Sequence, residues 1–212
     1  GEVPDYVHFH DIELQLIFCA AGWVRVVYED QGEPFVLHAG DCVLQPPGIR
    51  HRVLESGPGL EVIEISSPAE HETLADLEMA LPTPRMQPDR DFGGQRFVRH
   101  EAALASWSPW RGEGFEARDL GIDAATGGLA GAQVVRSLGA SHSPATRHDA
   151  EVLFTFVLAG KALLESEGNG HEVHAGDSFV VPAGLRHALA ECSRDLQILE
   201  VSLPARFAAA RD

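Results

Sequence analysis

His8-Phe9-His10, Gln15 and His51 are the residues of this chain best suited to chemistry. The first two histidines stand two apart, so on an extended strand both imidazoles point to one face. Gln15 follows in the next apolar run. His51 closes the segment Gly40-Asp41-Cys42-Val43-Leu44-Gln45-Pro46-Pro47-Gly48-Ile49-Arg50-His51. Three neutral imidazoles and one amide oxygen converging on a point would suit a divalent metal. With Gln15 in place of a carboxylate, such a site carries the full charge of its ion. That should make bound water more acidic and favour an anionic ligand group. Glu13 is the nearest carboxylate in sequence, but its strand parity differs from that of His8 and His10, so it should face outward. With its counterpart Glu151 it should share a structural role, a turn or an ion pair with Arg50 or Arg186.

The rest of the chain narrows the function by exclusion. It has 212 residues, 44% of them hydrophobic, enough for real cores in one large or two small domains. A net charge of -16 and a single lysine, Lys161, argue against nucleic acid or an anionic membrane as partner. No apolar run approaches the length of a membrane-spanning helix. Cys19, Cys42 and Cys192 lack any CxxC spacing and fit reduced thiols of a cytoplasmic protein. No nucleophile elbow, phosphate-binding loop or dinucleotide fingerprint is present.

The chain contains an internal repeat. Residues 37–51 match residues 173–187 at eight of fifteen positions, and Leu60 to Ser66 then matches Leu196 to Ser202. Upstream, His10-Asp11-Ile12-Glu13 matches His148-Asp149-Ala150-Glu151, and Gly22 matches Gly160. Two copies are too few for a solenoid and indicate two similar domains in tandem. Each copy reads as short strands rich in Val, Ile, Leu and aromatics, separated by Gly, Pro and Asp turns. His38 and His174 precede matching Ala-Gly-Asp turns and should serve turn packing.

Between the copies, Ser67-Pro68-Ala69-Glu70 has the form of a capping box and predicts a helix of about three turns, ending near Pro82. The expected division is an N-terminal domain over residues 1–81, a linker over 82–110 and a C-terminal domain over 111–212. Trp107 and Trp110 should pack between the domains. The second copy has two strands, within Phe115 to Ile122 and Gly131 to Leu138, that the first lacks. The exposed edge left in the first copy should be covered by Gln95 to His100, or by a second chain in a homodimer.

These segments resemble the cupin superfamily. Its first motif, G(x)5HxH(x)3–4E(x)6G, is matched from the HxH onward by His8, His10, Gln15 and Gly22, with Gln15 replacing the glutamate. Its second, G(x)5PxG(x)2H, is matched from Gly40 to His51 and again from Gly176 to His187. The resemblance implies an all-β protein: two tandem cupin barrels of antiparallel jelly-roll type, joined here by the helix and linker. It also implies one divalent metal in the first barrel, held by His8, His10, Gln15 and His51. The second copy keeps only His148 and His187; Thr146 and Leu153 replace the other ligands, so it should be structural or hold an organic ligand.

Two functions of different class follow. With Fe, Mn, Ni or Cu bound, the resemblance implies dioxygenase-like chemistry on an enolic or phenolic small molecule; with Zn, which excludes redox chemistry, it implies Lewis-acid cyclisation or isomerisation. The alternative is a non-catalytic module that binds a metal or small molecule. No general base beside the metal is evident. His71, His100 and His171 read as surface residues, and Cys19 as a buried thiol near the first pocket.

Overall fold

In the computed structural model, which describes residues 4–139 and 142–211, the chain forms two compact units. The first runs up to Leu104 and takes in Ala125–Gly127; the second comprises Ala105–Ala124 and Gly128 onward. Among the described residues, helix is confined to single turns at Ala102–Leu104 and Ile122–Ala125. None of it is long and apolar enough to cross a membrane.

The first unit contains β1 (His8–His10), β2 (Leu14–Ala21), β3 (Trp23–Tyr28), β4 (Phe35–His38), β5 (Cys42–Leu44), β6 (His51–Ser56), β7 (Glu61–Ser67), β8 (Thr73–Ala75) and β9 (Val98–His100). They form two antiparallel sheets, ordered β4-β3-β6-β1-β8 and β7-β2-β5-β9. The alternation Val24, Val26, Tyr28 on β3 and Phe35, Leu37 on β4 sends one face inward. There it meets Cys19, Val43, Ile49 and Phe92 in one buried cluster. Cys19 belongs to this core.

The strands are turned by residues whose backbone needs are specific. Gly22, between β2 and β3, has φ of 71°, and a Cβ there would lie 2.9 Å from the backbone of Leu60. Gly160 repeats both features against Leu196, at 2.8 Å. The obstacle is backbone, which cannot rotate away as a side chain could. Gly22→Ala is therefore expected to cost about 2–3 kcal/mol, through the left-handed conformation and the contact together. A urea midpoint lowered at unchanged slope checks this. At the Ala-Gly-Asp turns, Asp41 and Asp177 each accept the backbone N–H of His38 and His174 at 2.8 Å. The turns are thus held by the aspartates, with the histidines supplying backbone donors.

The second unit contains β10 (Ser108–Pro109), β11 (Phe115–Asp119), β12 (Gly131–Ser137), β13 (Thr146–His148), β14 (Val152–Ala159), β15 (Lys161–Ser166), β16 (Asn169–His174), β17 (Ser178–Val180), β18 (His187–Ala190), β19 (Gln197–Leu203) and β20 (Ala209–Arg211). Its sheets run β10-β11-β12-β19-β14-β17 and β16-β15-β18-β13-β20. Around the repeated motifs the two units have the same pairing: His8 lies opposite His51 as Thr146 lies opposite His187. Trp107 and Trp110 pack on residues of their own unit, Trp107 beneath Arg136 and Trp110 against Phe115.

Two expectations require correction. No helix follows Ser67. Thr73, Leu74 and Ala75 instead pair with His10, Phe9 and His8 as β8. A helix of three turns has little stability unless it packs, whereas β1 offered a free row of backbone donors and acceptors. Leu77, a residue of the supposed apolar face, is 80% exposed. Within the segment Gln95 to His100, Val98–His100 forms β9, but it pairs with β5. In the second unit the additional strands β11 and β12 lie beyond β19, the counterpart of β7. In the first unit the outer edge of β7 pairs with no described strand.

Candidate metal centre

His51 opens β6 between β1 and β3, directly opposite His8 on one side and Tyr28 on the other. His10 stands two residues beyond His8 and shares its face. The ring centroids of His8 and His51 are 4.3 Å apart, and His10 is 5.4 Å and 5.3 Å from them. All three side chains are buried, with ligand nitrogens within 4.8 Å of one another. Among the described residues no other group of three or more His, Cys, Asp or Glu side chains converges in this way.

Each ring is held in the tautomer a metal requires. The Nδ1 atoms of His8, His10 and His51 lie 3.0, 3.2 and 3.1 Å from the carbonyl oxygens of Tyr6, Glu72 and Ile49. A carbonyl only accepts, so each Nδ1 carries the proton and each Nε2 presents a lone pair. At His51 and His10, protonation is opposed as well. Burial, reinforced by neighbouring His8, pushes the His51 imidazole down to about 3. Burial also lowers His10, with His71 and His8 adding to the effect. Buried neutral imidazoles with oriented lone pairs fit a divalent transition metal.

Gln15 comes from the other sheet, and its amide is oriented at both ends. The Tyr28 hydroxyl donates to Gln45 Oε1 (2.7 Å), Gln45 Nε2 to Gln15 Oε1 (2.9 Å), and Gln15 Nε2 to Glu64 Oε1 (2.8 Å). Gln45 Nε2 also lies 3.4 Å from His51 Nε2. The oxygen of Gln15 is therefore turned towards the side of the site that holds Gln45 and His51, and one of its lone pairs is already used. Burial drives the Tyr28 phenol well above its ordinary range, so it remains a donor. Glu13 faces solvent, and the ion pair of Arg50 is with Asp76, at 3.1 Å.

Three residues at the site escape a reading of the motifs. Gln45 stands where the second copy has Val181. Glu64 lies opposite Ile17 on β7 and lines the pocket. His71 is not a surface residue: its side chain is 13% exposed, its ring is 4.8 Å from that of His10, and its Nε2 is 3.8 Å from Glu64 Oε1. The usable signal for Glu64 was its alignment with Glu200 in a copy that retains its covering strands. His71 lies in an irregular segment and had no comparable signal.

The histidines form the floor of a pocket of about 740 Å³, walled by aliphatic residues including Ile17, Val24, Val26, Leu37, Val53 and Leu60. The corresponding space in the second unit is about 20 Å³. There Glu200 accepts hydrogen bonds from Arg111 and from Gln133 of β12, both at 2.7 Å. His148 is also turned: its Nε2 lies 3.1 Å from the carbonyl of Val181, so that nitrogen carries the proton and offers no lone pair. The rings of His148 and His187 are 5.7 Å apart, with Leu153 and Thr146 at the other two positions.

The cupin domain model matches residues 1–65 and 135–202, more than half of the chain. This chain belongs to the cupin family. Among solved structures, cupin proteins align over 98% of it. A variant of Bacillus subtilis oxalate decarboxylase shares 15% identity at a TM-score of 0.70, with 67% of that chain covered. The Lactobacillus farciminis oxalate decarboxylase formate complex gives 15% identity, a TM-score of 0.70 and 75% coverage. A variant of salicylate 1,2-dioxygenase from Pseudoaminobacter salicylatoxidans gives 14%, 0.70 and 70%. The B. subtilis decarboxylase is described as having Mn(II) centres. At these identities the likeness is one of cupin fold. A search of curated proteins found no match.

Proposed function

We propose that this cupin is a two-domain, divalent-metal-dependent enzyme acting on a small organic molecule, with its single metal centre in the first unit. The observation that carries this reading is the set of three tautomer-fixed imidazoles, His8, His10 and His51, at the floor of a large pocket. Gln15 Oε1 is the fourth protein ligand in this reading, and the second unit supports the fold without a metal of its own. With Fe, Mn, Ni or Cu bound, the ion supplies dioxygenase-like oxidation of an enolic or phenolic substrate; with Zn it supplies Lewis-acid cyclisation or isomerisation.

The protein's own part is orientation and exclusion of water. The aliphatic walls desolvate the substrate body, and the Tyr28-Gln45-Gln15-Glu64 chain fixes the polar side of the site. Glu64 and His71, which line the pocket, are of a type that can receive a substrate proton, a role that Gln15 cannot fill. Elemental analysis of protein purified without added metal should find about one transition ion per chain. With Fe, Mn, Ni or Cu present, oxygen consumption should follow addition of an enol or catechol and stop on chelation. Native protein free of metal overturns the reading. Full occupancy by a redox metal with no turnover across such a panel favours a binding module.

A further inference from the structure

The pocket's charges narrow what it can hold. None of its described lining residues is Lys or Arg, while Asp5, Glu55 and Glu64 all line it. Asp5 is paired with Arg52 at 2.6 Å at an exposed position. Glu55 and Glu64 remain, Glu55 at the exposed end of β6 and Glu64 with its side chain 43% exposed. Glu64 is the more telling of the two. Its counterpart Glu200 is matched to Arg111 and Gln133, whereas Glu64 has the Gln15 amide at 2.8 Å and His71 at 3.8 Å. The pocket therefore combines a histidine cluster suited to a metal, aliphatic walls and two carboxylates, with no lysine or arginine among its described lining residues.

We infer that the pocket accepts a ligand with one oxygen-chelating head and an apolar body that is uncharged or positively charged, and that it rejects a body bearing a carboxylate. The inference rests on the proposed metal centre, because the metal is what holds the chelating head. An enolate or catecholate head meets the ion's charge at the floor. A further anionic group on the body would meet the like charges of Glu55 and Glu64, and none of the described lining residues is a lysine or arginine that could receive it. A neutral body loses nothing there, and an ammonium group gains a partner.

The test is titration calorimetry on metal-loaded protein, with occupancy fixed beforehand by elemental analysis. The probes are 4-methylcatechol, 4-(2-aminoethyl)catechol and 3,4-dihydroxyphenylacetate. The neutral and cationic catechols should bind at least about tenfold more tightly than the carboxylate-bearing catechol. Glu64→Gln and Glu55→Gln should each narrow the gap. Leu54→Arg, which places a cation on a pocket-lining position 39% exposed, should admit the carboxylate probe. Equal or tighter binding of 3,4-dihydroxyphenylacetate by the native protein overturns the inference. So does failure of every catechol to bind fully metal-loaded protein, an outcome that leaves the metal centre standing. Protein that holds no metal defeats the enzyme reading at the first step.

Discussion

His51→Ala should abolish stoichiometric metal binding, lowering affinity by at least about a hundredfold, with loss of any metal-dependent turnover. His51 is central to the cluster: it is opposite His8 across the strands, near His10, and in contact with both Tyr28 and Gln45. Its loss leaves two imidazoles, the number the second unit retains. Because His51 is buried and its Nδ1 bonds only its own segment, at Ile49, truncation leaves a small polar hole rather than an orphaned charge. The metal-free variant should therefore melt within a few degrees of metal-free native protein. Adding metal at about 100 times its dissociation constant should stabilise the native protein by about 2.7 kcal/mol and the variant by almost nothing. Elemental analysis and paired thermal melts read both effects. A variant that keeps one ion per chain would place the metal elsewhere.

The histidines were legible because their information is local. A two-residue spacing fixes the shared face of His8 and His10, and the Gly40-to-His51 spacing is set by turns whose residue types announce them. The repeat was legible for the same reason, and it showed which copy had lost ligands. What remained hidden depends on partners distant in sequence. Thr73 to Ala75 became a strand because β1 had a free edge, a fact invisible in the residues 67–81 themselves. Nothing in the run Leu60 to Ser66 itself marks Glu64 as a residue of the site. Its role depends on strands that the second unit sets beside β19 and for which β7 has no described counterpart. The orientation of Gln15 depends on Gln45 and Tyr28, 30 and 17 residues apart in successive contacts.

Gln15→Glu separates these levels, because position 15 must satisfy both the metal and Glu64. In the native protein the Gln15 amide donates to Glu64 at 2.8 Å and accepts from Gln45 at 2.9 Å. A carboxylate keeps the second bond and reverses the first into repulsion between two oxygens, at a site where residue 15 is only 3% exposed. Without metal the variant should lose roughly 2–4 kcal/mol, or take up a proton to avoid that loss. With metal the extra negative charge faces the ion, so affinity for a hard ion such as Mn(II) should rise and the gain in melting temperature on metal addition should exceed the native gain. Glu64→Gln in the same chain should restore metal-free stability, since an amide at 64 can donate to the new carboxylate, while leaving the tighter metal binding in place. If Gln15 ligates, the single and double variants share an altered metal preference. Variants that differ from native in metal-free stability but not in metal affinity would assign Gln15 to holding Glu64 alone. The replacement of the family's glutamate would then be explained by the neighbouring carboxylate on β7 rather than by the metal.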